Sequence, residues 1–315
     1  MSAFDAYIRL DGSLEGSVAC DEPMSKHTTY HIGGPAALFV HADTLADLTL
    51  TVEVLADEGL PWVIVGKGSN LLVSDEGYRG AVIVLGNEFA HVDFNGFSGV
   101  LPGQKRPERV HITAGAGVGL QYLVQKAFGL SLSGLEALVG TPGSVGGAVR
   151  MNAGSREKWI SSCVESVTLY TLEDGLRKVD ANQIEWGYRS SSIPSDAVIV
   201  EVCLELKPSD KLMLRAAMET SLKHRRASQP LSQPSCGSVF KGTSKGPAGL
   251  LIDSCGLKGA TCGGAQISTV HANFIVNNGN ATAQDVLELV RMAQDAVKEE
   301  HGVDLRPEVR FLGFN

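Results

Sequence analysis

Apolar and polar residues in the first part of the chain repeat with two different periods. From Thr44 to about Glu58 the apolar residues recur at helical spacing, and Asp43 or Thr44 can cap this helix. Its apolar face consists of Leu45, Leu48, Val52 and Leu55. Shorter apolar runs predict strands at residues 62–65, at 80–85 and within 28–40, where a Gly-Gly-Pro turn separates two strands. We therefore predict a small βαβ-like unit over residues 28–86.

The rest of the chain alternates between strand and helix patterns. The predicted strands cover residues 164–172, 176–179, 197–206, 265–276 and 307–311. The predicted helices cover residues 120–128, 211–226 and the segment between Thr282 and Gly302. Residues 207–210 (KPSD) are the predicted domain boundary, because a new amphipathic helix begins near Lys211. We predict an N-terminal lead-in at 1–27, a domain at 28–208 with subdomains of about 28–86 and 87–208, and a smaller domain at 209–315.

Two stretches rich in small residues predict a ligand site. The first, Gly66 to Leu71 (GKGSNL), follows a buried strand, and few side chains shield its backbone amides from an anion. The second, residues 140–154, allows the backbone to approach another backbone or a flat ring closely. A plain turn is the more common explanation of the first stretch alone, and a tightly packed connector could explain the second. The presence of both stretches in one chain is the reason for predicting a ligand site.

A third glycine-rich turn invites a dinucleotide-binding interpretation, which we reject. Gly115, Gly117 and Gly119 lie between a predicted strand and a predicted helix. Leu120 stands where the dinucleotide-binding fingerprint needs its third small residue. The repeated βαβ order of a doubly wound sheet does not follow either, because strand-rich sequence resumes.

Composition and charge restrict the classes of function. The 315 residues are 43% hydrophobic and 20% charged, as is typical of a globular protein with two or three domains. The net charge of -8 argues against nucleic-acid binding, which needs a basic face. We found neither a secretory leader pattern nor an apolar run of membrane-spanning length. We therefore expect a cytoplasmic protein without nucleic-acid or membrane partners.

The cysteines and histidines give no sign of a disulfide framework or a metal site. The six cysteines form no C-x-x-C pair, and we expect all of them to be reduced thiols. His27 and His31 have no partner cluster, and the H-E-x-x-H motif does not occur. The sequence therefore predicts no metal.

Five stretches of the chain carry a family resemblance: HTTYHIGGPA, VGKGSNLLVSDEG, GTPGSVGGAVRMNAG, WGYRSSSIP, and a C-terminal set of CGSVFK, HANFIVNNGNATAQDV and RPEVRFLG. In order and spacing they resemble the UDP-N-acetylenolpyruvoylglucosamine reductases of bacterial peptidoglycan synthesis. Together they extend from about Thr28 to Gly313. The resemblance implies an FAD-binding domain of the vanillyl-alcohol-oxidase (PCMH) type in two α+β subdomains, followed by a smaller α+β substrate domain. The predicted boundary near residue 208 agrees with this division.

The resemblance also implies which residues bind the cofactor. The first small-residue stretch would hold the FAD pyrophosphate through Gly66, Lys67, Gly68, Ser69, Asn70 and Leu71. The second would lie along the flavin, with contacts from Thr141, Pro142, Gly143, Ser144, Gly146, Gly147 and Asn152. NADPH is the implied co-substrate.

The implied reaction reduces UDP-N-acetyl-3-O-(1-carboxyvinyl)-glucosamine to UDP-N-acetylmuramate. A hydride passes from NADPH to FAD and then to the vinyl carbon. Arg189 and Glu308 match positions that stabilise the enolate-like intermediate, and Glu308 can donate to an oxyanion only while protonated. Ser238 matches the proton donor. Substrate contacts are implied for Tyr188, Arg225, Lys241, Gln266 and Asn273.

Alternatives stay open at the level of both residues and function. Without the resemblance, Arg189 would be interpreted as a structural ion pair, Ser238 as a turn residue and Glu308 as an edge-strand charge. Another flavin oxidoreductase of the same fold, acting on a different alcohol or lactone, is the nearest alternative. A nucleotide-binding protein without redox activity is the second. The partners we expect are the UDP-sugar nucleotide and NADPH only, and we expect a monomer.

Two features depart from the family pattern. Gly242 and Thr243 follow Lys241 where the family commonly has Asn-Pro or Arg-Pro, so we expect a side-chain contact often assigned there to be absent. Only 48 residues separate Arg189 from Ser238, which leaves little room for the tyrosine-bearing loop of the longer subtype. We therefore expect the shorter subtype.

Overall fold

A computed structural model of the chain describes residues 2–100, 106–155 and 158–314. The helices are α1 Ala3–Leu10, α2 Leu45–Asp57, α3 Leu120–Gly129, α4 Val145–Arg150, α5 Lys211–Ser228, α6 Ala248–Ser254 and α7 Ala283–His301. The strands are β1 Ser17–Pro23, β2 Pro35–Ala42, β3 Trp62–Ile64, β4 Leu71–Val73, β5 Tyr78–Leu85, β6 Val92–Asp93, β7 Val110–Gly115, β8 Leu132–Ser133, β9 Gly154–Ser155, β10 Lys158–Trp159, β11 Val164–Thr171, β12 Gly175–Asp180, β13 Trp186–Gly187, β14 Ser190–Ser191, β15 Val198–Pro208, β16 Thr261–Cys262, β17 Ala265–Ile267, β18 Ile275–Asn277 and β19 Arg310–Leu312. Among the described helices, none combines enough length with enough apolar residues to pass through a membrane.

The chain divides into two compact units, each built from more than one segment. The first unit comprises residues 1–19, 39–66 and 82–223. The second comprises residues 20–38, 67–81 and 224–315. Strands β1, β2, β5 and β3 form a four-stranded sheet in that order.

An antiparallel sheet in the order β12-β11-β15-β7-β6 is the centre of the first unit, and β8 also pairs with β15. Along β15, buried residues alternate with more exposed ones from Glu201 to Leu206, which is the pattern of a sheet with one face on the core. Helix α3 packs Leu120, Leu123 and Val124 into that core. The antiparallel pairing agrees with our rejection of a doubly wound fold.

Helix α2 begins with a strong cap in the first unit. Thr44 Oγ1 accepts a hydrogen bond from the Asp47 N–H at 3.1 Å, as in a capping box. The buried Asp47 carboxylate accepts four backbone N–H groups, from Glu15 (2.9 Å), Gly16 (3.0 Å), Asp43 (2.9 Å) and Thr44 (3.3 Å). Burial by itself would raise the pKa of Asp47, but these four donors outweigh it and the net shift is downward. The predicted helix and its Thr44 cap are confirmed.

The second unit has its own core around helix α7. Thr282 and Asp285 form the capping box of this helix, and Gly302 ends it in the left-handed conformation, both as predicted. Its apolar face packs against the antiparallel sheet β16-β17-β18 and the residues around α6. Strands β4 and β19 form a separate parallel pair, in which Leu71 is the partner of Arg310.

Several predicted elements were wrong in detail. Residues 28–32 form a turn, because the preceding strand lies earlier, at β1. Residues 265–276 form two strands joined by a turn in which Ser268 Oγ accepts the Val270 N–H at 3.1 Å. Residues 140–154 were predicted as a loop because of their glycine content, but they contain the short helix α4. Helices α1 and α6 were not predicted.

Candidate functional site

The two predicted cofactor loops meet at Gly66 and Ser144 in the first unit. Gly66 follows β3, and a Cβ atom added there would overlap Ser144 Oγ. Ser144 cannot easily turn away, because its Oγ caps α4 and accepts the Gly147 N–H at 3.3 Å. The close approach of the loops therefore requires a glycine at position 66.

Backbone hydrogen bonds hold the second loop against the turn that follows β7. The N–H of Val145 donates to Val118 O at 2.8 Å, and that of Gly146 donates to Ala116 O at 2.9 Å. A Cβ atom at Gly146 would lie only 2.8 Å from Ala116 Cβ, so this glycine is needed for backbone packing. The loop is consequently fixed by the fold of its own unit.

Gln121 on α3 fastens the beginning of the second loop, and the sequence analysis did not find it. Its Oε1 accepts the Gly140 N–H at 2.7 Å. Its Nε2 donates to Leu138 O at 2.9 Å and to Thr141 O at 2.7 Å. One amide side chain thus holds three backbone positions at the start of the second loop, and the last of them, Thr141, is a predicted flavin contact.

Residues Lys67 to Leu71 of the first loop belong to the second unit. Gly68 is buried and has φ +59°, and a Cβ atom there would overlap His27 O and lie 2.7 Å from Thr28 Cα. Only glycine fits this position without moving the backbone. The turn is therefore shaped by a close approach between two backbone segments.

Asn70 joins the first loop to the segment that carries Glu308. Its Nδ2 donates to Glu308 O at 3.2 Å, and its own carbonyl accepts the Arg310 N–H at 3.0 Å. A predicted cofactor residue and a predicted catalytic residue are thus directly bonded in the second unit.

Ser238 and Glu308 lie on two segments that pair through their backbones. The Glu308 N–H donates to Val239 O at 2.7 Å, and the Lys241 N–H donates to Arg306 O at 2.9 Å. Between these bonds, Phe240 and Pro307 form an antiparallel bridge. We call this pairing of residues 238–241 with 306–309 the backbone ladder. It brings together Ser238 and Glu308, which are 70 residues apart in sequence and both half-buried.

Asn273 supports the backbone ladder from the side. Its Oδ1 accepts the Phe240 N–H at 2.9 Å and its Nδ2 donates to Phe240 O at 2.8 Å. Its carbonyl accepts the Val239 N–H at 2.8 Å. Both ends of the amide, which is 7% exposed, are therefore engaged with the chain next to Ser238. The predicted substrate contact of Asn273 stays a prediction beside this supporting role.

The Glu308 carboxylate lies near a buried thiol. Burial raises the pKa of Cys236 to about 12, and the negative charge of Glu308 contributes to the same shift. Tyr30, which has no exposed surface, contacts Cys236 and also has a raised pKa because of burial. Glu308, itself half-buried, therefore has a fully buried group on the side of Cys236.

Arg189 lies in the turn of the β13–β14 hairpin in the first unit. Its backbone has φ +54°, a left-handed conformation that is uncommon for an arginine. Its guanidinium lies 5.4 Å from the Trp159 ring and 5.3 Å from the Tyr188 ring, and it donates to Gly154 O at 3.0 Å. The two rings contact each other edge to face at 5.7 Å. Packing therefore fixes the direction of this cation.

Asn152 connects the second loop with the Arg189 hairpin. It is 4% exposed and left-handed, with φ +42°. Its Nδ2 donates to Gly187 O at 3.0 Å, and its Oδ1 accepts the Ser161 N–H at 3.4 Å. Ser191 Oγ also donates to Arg150 O at 3.0 Å. The predicted cofactor residue Asn152 thus holds the hairpin in place, whatever its contact with the cofactor.

The other site residues are placed as follows. Gln266 lies on β17 and donates to Gly259 O at 3.1 Å, while Lys241 and Arg225 are half-buried in the second unit. Gly242 leads into a tight turn in which the Thr243 N–H donates to Gly246 O at 2.9 Å. Arg189 belongs to the first unit, whereas Ser238 and Glu308 belong to the second. Convergence of these three side chains on one ligand stays a prediction.

Two family models match the chain. A model described as an FAD binding domain matches residues 36–179. A model described as the C-terminal domain of UDP-N-acetylenolpyruvoylglucosamine reductase matches residues 229–312. The two matches fall in the order that the sequence resemblance implied.

Similar proteins cover almost the whole chain. The UDP-N-acetylenolpyruvoylglucosamine reductase of Heliobacterium modesticaldum is 42% identical over 294 residues, which are 93% of this chain and 90% of that protein. The enzyme of the same name from Geobacter metallireducens is 40% identical over 310 residues, 98% of each chain. The crystal structure of the Thermus caldophilus reductase superposes with a TM-score of 0.79 at 35% identity, covering 95% of this chain and 99% of the other.

These comparisons confirm the predicted fold class, a PCMH-type FAD-binding domain followed by a smaller α+β domain. The predicted cofactors, FAD with NADPH as co-substrate, are those of the matched family. The six cysteines form no disulfide with one another. By sequence and by fold, the chain belongs to the UDP-N-acetylenolpyruvoylglucosamine reductase family.

Proposed function

We propose that this protein reduces UDP-N-acetyl-3-O-(1-carboxyvinyl)-glucosamine to UDP-N-acetylmuramate, a step in the synthesis of peptidoglycan precursors, with NADPH as the hydride source. The observation that carries the proposal is the chain of bonds around the backbone ladder. Asn70 donates to Glu308 O at 3.2 Å, and the Glu308 N–H donates to Val239 O at 2.7 Å, next to Ser238. These hydrogen bonds thus connect the first cofactor loop with the segments that carry Glu308 and Ser238.

We propose that the two small-residue loops hold a flavin dinucleotide. Added Cβ atoms at Gly66 and Gly68 would meet Ser144 and His27, so both positions are free of side chains where the backbone turns. Such turns can direct backbone N–H groups at a pyrophosphate without a Walker lysine or a Rossmann helix. When bound, FAD supplies the chemistry that accepts a hydride from one substrate and delivers it to the other. We propose that Gly66–Leu71, Thr141–Gly147 and Asn152 bind it.

We propose that Arg189 binds the substrate carboxylate. The two flanking rings, from Trp159 and Tyr188, orient its guanidinium before substrate binds. A cation held in advance at the place where negative charge develops is worth about 100- to 1000-fold in rate. Tyr188, which is exposed, would contact the same substrate.

We propose that Glu308 and Ser238 act together on the intermediate. Glu308 would donate a hydrogen bond to the developing enolate oxygen, a role that requires its carboxyl group to be protonated when the substrate is bound. Ser238 would give its hydroxyl proton to the adjacent carbon, and this transfer is feasible because an enolate carbon is strongly basic. Lys241, Arg225, Gln266 and Asn273 complete the proposed substrate site.

The finer predictions on organisation belong to the same proposal. We propose a monomer that works in the cytoplasm and has only small-molecule partners. Its FAD-binding domain would extend over residues 28–208, after a lead-in at 1–27, and its substrate domain over 209–315. Helix α1 and strand β1 lie within the proposed lead-in.

Anaerobic stopped-flow measurement of the two half-reactions tests the proposal. We expect Ser238→Ala to keep the bleaching of FAD by NADPH and to lose reoxidation by the enolpyruvyl sugar nucleotide. Ser232→Ala, at an exposed position six residues earlier, is the control and should change neither half-reaction. Equal loss of both half-reactions in Ser238→Ala would contradict the assigned role.

The same preparation separates the alternative functions. A flavin oxidoreductase acting on another alcohol or lactone would turn over with oxygen but not with the enolpyruvyl sugar nucleotide. A nucleotide-binding protein without redox activity would bind a UDP-sugar and leave NADPH unconsumed. A protein that takes up no FAD would end the proposal.

A further inference from the structure

Three side chains that can bind metals lie together on the exposed face of the six-stranded sheet in the first unit. His111 is on β7, Glu165 on β11 and Cys203 on β15, the strand between them. His111 Nδ1 lies 2.7 Å from Glu165 Oε2, and Cys203 Sγ donates to the same oxygen at 3.1 Å. All three atoms lie within 4.8 Å of one another. None of these residues belongs to the site described above.

A β-bulge directs Glu165 into this cluster. Val164 pairs with Leu204, but Ser166 pairs with Cys203, so Glu165 is the extra residue on its strand. Bulges of this kind re-aim a side chain and are often found at functional sites. On the other side of β15, Cys203 pairs with Thr113 and Glu205 with His111, so His111 lies diagonally across from Cys203. The three ligand atoms are thus brought together by the pairing of three neighbouring strands.

We propose that His111, Glu165 and Cys203 form a binding site for a borderline-soft divalent cation, with Zn²⁺ as the best match. One nitrogen, one oxygen and one sulfur ligand with an open fourth position suit tetrahedral zinc. Zinc ligands lie about 2.0 to 2.3 Å from the ion, so the side chains need to separate by only about 1 Å from their present hydrogen-bonded positions. The two exposed residues, His111 and Glu165, give an ion access.

Binding exchanges protons for metal bonds without any redox change. The Cys203 thiol loses its proton to solvent as the metal–sulfur bond forms. His111 binds through Nδ1 as the neutral imidazole, with its proton on Nε2. The ion then links β7, β15 and β11, so it should also stabilise the sheet.

Metal titration of the full-length, FAD-loaded protein tests this site. In competition with a chromophoric chelator, we expect the native chain to bind one Zn²⁺ per chain. The affinity for Zn²⁺ should fall about 10- to 100-fold or more in Cys203→Ser and in His111→Gln. With Co²⁺ as the probe, we expect the near-ultraviolet band of a thiolate–cobalt bond, and its loss in Cys203→Ser. Zn²⁺ should raise the melting temperature of the native chain but not that of Cys203→Ser.

Cys255→Ser is the matched control, because Cys255 is also partly exposed and has the carboxylate of Glu300 nearby. It should leave Zn²⁺ and Co²⁺ binding unchanged. The retained FAD spectrum of each variant checks that it has folded. The proposal is overturned if the native chain does not compete with the chelator, or if Cys203→Ser and His111→Gln bind Zn²⁺ as tightly as the native chain.

Discussion

The two units hold their proposed catalytic residues in different ways. In the first unit, Arg189 depends on side chains, because Trp159 and Tyr188 flank its guanidinium and Asn152 secures its hairpin. In the second, Ser238 and Glu308 are placed by the backbone ladder. A substitution can remove a side-chain support, but it seldom removes a backbone bond. We therefore expect substitutions near Arg189 to lower activity more than stability. Substitutions that disturb the backbone ladder should lower stability more than activity.

We expect the largest effect from a substitution in the part of the first cofactor loop that belongs to the second unit. Gly68→Ala would force a Cβ atom against His27 O at φ +59°. The strained backbone conformation alone costs about 1 to 3 kcal/mol, and the overlap adds a backbone shift. We expect loss of FAD binding, measured by flavin absorbance after gel filtration. Gly242→Ala, where nothing lies within 4 Å, should retain FAD. Equal FAD content in both variants would contradict this assignment.

Arg189→Lys tests the side-chain arrangement in the first unit. Lysine keeps the charge but loses the planar group that packs on both rings, so we expect the half-reaction with the sugar nucleotide to slow by about 100-fold. Reduction of FAD by NADPH should not change. Lys158→Arg is the control, because it exchanges the same two residue types at an exposed position, where Lys158 pairs with Glu136. A normal rate in Arg189→Lys would show that packing on the rings is not needed.

Substitution of one asparagine in each unit tests the difference between the two units directly. Asn273→Ala removes two hydrogen bonds to Phe240 in a buried place, so we expect a loss of about 2 to 4 kcal/mol in the free energy of unfolding. Asn152→Gly keeps the left-handed backbone and removes only the side chain, so we expect a smaller loss of stability and a rate about 10-fold lower. Denaturant melts and steady-state rates measure both quantities. The reverse order of effects would contradict the distinction between the units.

The smallest effect concerns the acid stability of the first unit, away from the site. The pKa of Asp47 is lowered in the folded chain, so its contribution is complete above the unfolded value of about 3.9 and is lost as the pH falls through the folded pKa. We expect Asp47→Asn to cost about 1 to 2 kcal/mol at pH 7 and to become nearly neutral in strong acid. Urea melts across this range measure it. An unchanged difference at low pH would show that packing, not charge, is responsible.

The sequence predicted the capped helices well and the supports of the site poorly. Helices α2 and α7 carry local signals, Thr44 and Thr282, each followed three residues later by an aspartate. Gln121 carries no comparable signal, because its backbone partners at Leu138, Gly140 and Thr141 lie 17 to 20 residues later in the chain. The Gly-Gly pair in α4 suggested a loop, yet the cap from Ser144 and the core contacts of Val145 and Val149 make it helical. Tertiary packing overrode local propensity there.

The proposed metal site illustrates the same limit. The expectation of no metal rested on motifs whose ligands are close in sequence, such as H-E-x-x-H. His111, Glu165 and Cys203 are close only because β7, β15 and β11 are neighbours in the sheet. The bulge at Glu165 is a matter of register between two strands, which residue types alone do not specify.

The ladder also bears on how such chains can diverge. Main-chain bonds do not depend on side-chain identity, but Val239 and Phe240 are also buried in the core of the second unit, so packing limits which side chains these positions accept. Gly242 and Thr243 begin a turn just beyond the last ladder bond, where a change of side chain leaves the ladder intact.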